Sequence, residues 1–228
     1  MDALNLNERV ELVSSRIKQA LMRCGRTEEE VNVIAVTKYG SIENMKEVLE
    51  HIRHVGESRW QDAQEKWERL GNNGTWHFIG HLQTNKVKDV LGKFEYIHSM
   101  DRISLAQEIE KKAAQLGITV KCFLQVNVSG EATKQGMAPD QVMAFAETLR
   151  KFKQIQVMGL MTMAPHETRP EDARPVFKAL RQLRDEINAR GIFDYAVPHL
   201  SMGMSNDFEI AIEEGSTWIR LGSAIVGK

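Results

Sequence analysis

Val31-Asn-Val-Ile-Ala-Val-Thr37, followed by Lys38-Tyr-Gly40 and Ser41-Ile-Glu-Asn44, is the stretch that decides the fold. Its first seven residues are short and rich in β-branched side chains, which suits a strand. Ser41 can cap a new helix by accepting a first-turn backbone N–H, with Asn44 at the third helical position. The unit is strand, loop, helix, and a lysine stands where the strand ends.

The unit recurs along the chain. Candidate strands at 54–57, 75–79, 95–99, 119–128, 155–162, 199–204 and 217–226 join 31–37 to make eight. Leu6, Val10, Val13, Ile17, Ala20 and Leu21 share one face of an opening helix over 4–24, which Gly25 ends. Helical periodicity is also clear over 102–116, 139–152 and 171–190, with shorter helices expected at 84–91 and 206–214. Strands alternating with helices imply a parallel sheet, since parallel neighbours need a crossover connection. Eight of them can close into an α/β barrel of the (β/α)8 TIM type, and 228 residues suit one such domain over 1–228. A doubly wound open sheet is the alternative that periodicity alone leaves open, although Thr37-Lys-Tyr-Gly40 stands where a dinucleotide fold would carry its glycine fingerprint.

Composition narrows the partners. Thirty Lys plus Arg against 31 Asp plus Glu leave no broad basic field for nucleic acid or an anionic membrane surface. A small-molecule partner fits better. Cys24 and Cys122 are too few for a disulfide framework and are read as inert thiols. No basic-then-apolar leader opens the chain and no apolar run reaches the roughly 18 residues of a membrane span, so a cytoplasmic location is expected.

Lys38 falls at the carboxyl end of the first strand, the rim where barrel active sites gather, and could act there as an amine nucleophile. A solvated lysine at a strand end is the plainer reading of its position. Ser201-Met-Gly203-Met204-Ser205 and Arg220-Leu-Gly222-Ser223-Ala-Ile-Val-Gly227 each set glycine and hydroxyl residues beside a strand end. That chemistry suits a phosphate, because glycine admits the backbone and serine adds a donor. Ordinary turn chemistry is the alternative. With a lysine on strand one, the two loops describe a site for a phosphorylated carbonyl compound. Arg220 stays protonated and would donate to a ring nitrogen, weakening a bound ring as an electron sink; a salt bridge at the rim would also explain it. His77 falls inside the third strand, where it is expected to hydrogen-bond within the barrel, while His81 and Asn85 are candidates for the pocket wall. No metal is expected, since His77 and His81 lack clustered Cys or carboxylate partners.

These segments together resemble the pyridoxal phosphate homeostasis protein family, related to the N-terminal barrel of alanine racemase. The resemblance covers nearly the whole chain. Its anchors are Val33 to Lys38, Val55-Gly-Glu57, Trp76-His-Phe-Ile-Gly80 with Leu82-Gln83 and Asn85-Lys86, Gly159-Leu-Met161, Ser201 to Ser205 and Arg220 to Gly227. It implies pyridoxal 5′-phosphate as cofactor, held as a Schiff base on Lys38, with Arg220 at the pyridine nitrogen and Ser205, Gly222 and Ser223 in the phosphate cradle. One position departs: the family often reads Gly-Glu-Asn after strand two, whereas Ser58 follows Glu57 here. The resemblance further implies a binding and delivery protein rather than an enzyme, possible hand-over to pyridoxal-phosphate-dependent apoenzymes, and a monomer, because no residues remain for the racemase's second domain with its acid–base tyrosine and dimer contact. An amino-acid racemase and a cofactor-free Schiff-base aldolase are the rival activities.

Overall fold

The computed structural model describes residues 4–131, 134–165 and 169–227. Its strands are β1 (Asn32–Val36), β2 (His54–Glu57), β3 (Thr75–Phe78), β4 (Tyr96–Met100), β5 (Val120–Gln125), β6 (Ile155–Met161), β7 (His199–Ser201) and β8 (Trp218–Leu221). Each pairs in parallel with the next and β8 pairs back onto β1, giving a closed barrel in chain order. The open doubly wound sheet is thereby excluded.

The helices are α1 (Leu6–Cys24), α2 (Ile42–Leu49), α3 (Trp60–Leu70), α4 (Val87–Val90), α5 (Ile103–Leu116), α6 (Val142–Leu149), α7 (Arg174–Ala189) and α8 (Phe208–Glu213). Local chemistry sets several boundaries. Asn5 and Glu8 form a capping box at the start of α1, and Gly25 at φ 67° stops it. Ser41 accepts the Asn44 N–H at the start of α2, as the sequence predicts. Helix α3 is a finding, because the sequence pattern gave no expectation there.

Period-two alternation divides the core into two layers. Ala35, Val55, Ile97, Leu124, Leu160 and Ile219 point outward and are buried against the helices. Ile34, Tyr96, Phe123, Met161 and Trp218 point inward and fill the barrel. Fully burying one such side chain contributes about 1.5–3 kcal/mol, so both layers oppose opening of the sheet. Helix α1 lies against α8 through Arg16–Glu209 at 2.8 Å and Arg23–Glu213 at 2.6 Å, and the Arg9 guanidinium donates to the Ile225 carbonyl at 2.7 Å, pinning the turn after β8. Cys122 is buried, which pushes its thiol well up and leaves it unreactive.

Candidate functional site

Alternation along β1 carries through to its end. Ile34 packs inside the barrel, Val36 stands at its mouth, and Lys38 follows two residues on, so the lysine belongs to the inner set. Val36 and Lys38 line a cavity of about 610 Å³ together with Met204, Ser205, Arg220, Gly222 and Ser223. The chain's first strand–helix unit thus meets the turns that follow its last two strands. A depression of about 600 Å³ bordered by Arg150, Ile155 and Tyr195 lies at the amino end of β6, the end of a barrel that serves stability rather than chemistry.

A buried network stands behind Lys38. The outward-facing Thr37 hydroxyl donates to Glu57 Oε1 at 2.7 Å, and Lys66 Nζ of α3 donates to Glu57 Oε1 at 3.0 Å and to the Thr37 carbonyl at 2.7 Å. Glu57 is fully buried and Lys66 nearly so. The ion pair therefore ties α3 to the peptide bond that carries Lys38. Lys38 itself is exposed, its ammonium 4.8 Å from the ring centroid of Tyr39.

Arg220 forms part of the cavity wall from β8. It is buried, donating from Nη1 to Ser201 Oγ at 2.7 Å and from Nη2 to the Thr162 carbonyl at 2.9 Å. Neither acceptor is a carboxylate; among the described residues Arg220 makes no ion pair within contact distance, and the Asp207 carboxylate in the same cavity wall acts on it through its charge alone. Burial pulls its pKa down to about 10, which leaves it protonated at neutral pH.

The two glycine-serine turns are joined, since the Ala224 N–H donates to Ser205 Oγ at 3.2 Å. Among the described residues, the backbone N–H groups of Asn206 and Ser223 find no acceptor, leaving donors beside the cavity. A Cβ placed on Gly222 would approach protein no closer than 3.7 Å, at Val36. Neither steric crowding nor a positive φ demands glycine there, and its missing side chain leaves room in a cradle of donors, as a phosphate requires. Gly203 is different. Its φ is 94° and a Cβ would lie 2.6 Å from that of Ala211, so it serves the packing of β7 on α8 and only its neighbour Met204 reaches the cavity.

Two expected wall residues sit elsewhere. His81 lines a separate depression of about 290 Å³ with Ser58, Trp60 and Lys86, and Asn85 lies in the short helical turn Thr84–Lys86. The loop after β3 borders that depression together with the start of α3, and neither His81 nor Asn85 is among the residues bordering the Lys38 cavity. His77 is buried inside the barrel as expected and hydrogen-bonds to two other histidines, His54 and His98, which the sequence reading passed over. Their signal was available: His54, His77 and His98 all fall on strands, about one strand–helix unit apart.

The comparisons with known proteins agree with this geometry. Residues 14–228 match the family model described as the alanine racemase N-terminal domain. A protein of Aquifex aeolicus named pyridoxal phosphate homeostasis protein is 42% identical over 227 residues, covering 99% of both chains. The chain belongs to the pyridoxal phosphate homeostasis protein family. PipY of Synechococcus elongatus, solved with pyridoxal phosphate bound, superimposes on this family member with a TM-score of 0.83 at 31% identity, covering 96% of this chain and 100% of that one. Alanine racemase of Clostridium difficile shares the fold at a TM-score of 0.74 and 16% identity, covering 95% of this chain and 56% of the racemase.

Proposed function

We propose that this protein binds pyridoxal 5′-phosphate covalently through Lys38 and serves in holding and delivering the cofactor inside the cell. One observation carries the reading: a lysine at the end of β1 and two joined, donor-lined turns after β7 and β8 border one cavity with a buried cation, Arg220. When bound, pyridoxal phosphate supplies an aldehyde that a primary amine converts to a Schiff base with loss of water. Lys38 provides that amine. Ser205, Gly222 and Ser223 provide the phosphate cradle, and Arg220 meets the ring nitrogen as a donor that cannot take up a proton. Arginine in that place restrains carbanion chemistry, which supports a carrier rather than an enzyme. The names of the relatives, homeostasis proteins, support the same choice. A cytoplasmic monomer that hands its cofactor to apoenzymes completes the proposal; among the described residues, no helix is long and apolar enough to cross a membrane.

The test is direct. Protein mixed with pyridoxal phosphate should turn yellow, lose the colour on borohydride reduction, and yield a phosphopyridoxyl mass on the peptide containing Lys38. A folded Lys38→Ala variant should stay colourless, and an equally yellow one would refute the assignment. Deuterium entering Cα of alanine at turnover rates would instead make the protein a racemase.

A further inference from the structure

Three histidines stand in file through the barrel. His54 Nδ1 lies 3.0 Å from His77 Nε2, His77 Nδ1 lies 2.9 Å from His98 Nε2, and His98 Nδ1 lies 2.9 Å from the Ser201 hydroxyl that Arg220 grips. Strand register sets the course. His54 opens β2, His77 is level with Gly56 two residues further on, His98 is two residues beyond Tyr96, the partner of His77, and Ser201 closes β7. The file climbs from the amino end of the barrel to the cavity at its carboxyl end.

The file has a direction. Ser201 Oγ already accepts a hydrogen bond from Arg220, and its own proton has one acceptor among the described residues, His98 Nδ1. If His98 donated instead, a fully buried hydroxyl proton would have no partner, an arrangement proteins avoid. Ser201 therefore donates to His98 Nδ1, His98 Nε2–H donates to His77 Nδ1, and His77 Nε2–H donates to His54 Nδ1. Both nitrogens of His77 and of His98 are then engaged. Burial keeps these two rings neutral, helped at His98 by the Arg220 charge and at His77 by the neighbouring histidines and Lys121.

We propose that His54, His77 and His98 are positioning residues for Arg220, linked by hydrogen bonds of one polarity with every ring in its Nε2–H tautomer. Ser201 and the Thr162 carbonyl fix the plane of the guanidinium, and the file fixes Ser201. Because the file is neutral, the guanidinium keeps its whole charge for the cavity, and a ring nitrogen beside it stays unprotonated. This last step rests on the proposed pyridoxal phosphate site; the direction of the file does not.

The test reads ring nitrogens by 15N–1H NMR in ligand-free protein, then the cofactor. In the wild-type protein all three rings should be Nε2–H tautomers, and an Nδ1–H tautomer at any of them overturns the proposal. Ser201→Ala removes the donor to His98 with little change of volume and should shift the resonances of His77 and His54 as well as those of His98; a change confined to His98 overturns it. His54→Leu, altered at the half-exposed far end, should move the His98 ring signals, and unmoved signals overturn the linkage from that side. With pyridoxal phosphate, Ser201→Ala should lose affinity about ten-fold, the effect of one hydrogen bond to a charged group, and shift the absorbance maximum. Ser201→Thr, which keeps the hydroxyl, should restore both. Wild-type affinity and colour in Ser201→Ala would overturn the positioning role. If the wild-type protein binds no pyridoxal phosphate while the ring tautomers are as stated, the cofactor reading alone fails.

Discussion

Replacing Lys66 with methionine tests how Lys38 is held. Lys66 and Glu57 form an ion pair at 3.0 Å with relative exposures of 6% and 0%. Among the described residues Glu57 Oε2 already has no partner, so losing Lys66 leaves the buried carboxylate with a single hydrogen bond there, from Thr37. Breaking a buried pair from one side costs about 3–5 kcal/mol, a large part of the 5–15 kcal/mol that stabilises a typical domain. At a urea slope of about 3 kcal/mol/M, the unfolding midpoint should fall by about 1–2 M. Removing the charge from both sides, in Lys66→Met with Glu57→Gln, keeps an acceptor for the Thr37 hydroxyl and leaves no stranded ion. The double variant should therefore recover most of the loss, with a coupling energy of about 2 kcal/mol or more. Both variants lose the Lys66 bond to the Thr37 carbonyl, so labelling of Lys38 by pyridoxal phosphate and borohydride should be slower in each. Urea titration of the wild type, Lys66→Met, Glu57→Gln and the double variant decides the matter. A Lys66→Met protein within about 1 kcal/mol of wild type would show that the pair holds nothing.

Two further predictions follow from the same geometry. Gly222→Ala should leave stability within about 0.5 kcal/mol, since its Cβ meets only Val36 at ordinary contact distance, yet weaken pyridoxal phosphate binding measured by absorbance titration; unchanged binding would remove this turn from the cradle. His77 and His98 have pKa values driven well below 6.5 by burial, so the unfolded chain takes up protons that the folded state refuses. Stability should then be full above about pH 6.5 and decline as pH falls, with a slope approaching about 2.7 kcal/mol per pH unit for two protons. A flat unfolding midpoint between pH 6.5 and 5 would contradict the buried neutral rings.

Much of the barrel is legible in the sequence because outward strand faces and inward helix faces must both be apolar. Helix α3 escapes that reading for a physical reason. Its buried face consists of Ala63, Lys66 and Leu70, and a lysine at the centre of a core face breaks the very period by which helices are recognised. The expected strand ends at 204 and 226 overshoot for the converse reason: Met202 and Ile225 are buried without being in strands, since both anchor turns. Within the site, Lys38, Arg220 and the two glycine-serine turns are readable because strand ends and turn residues announce themselves locally. The placement of His81 and Asn85 is not readable in the same way, because the course of a loop depends on what it packs against. The histidine file is harder still, as its hydrogen bonds exist only once three strands have taken their register.

The hydrogen bond from Ala224 to Ser205 makes one clamp of the turns after β7 and β8, while Lys38 sits across the join, just past the end of β1. A ribosome releases that lysine early and the clamp late, so on the proposed function a nascent chain would offer its amine long before it could grip a phosphate. Ligand capture would thus act as an inspection of finished folding, and a captured ligand would rivet the first staves of the barrel to the last.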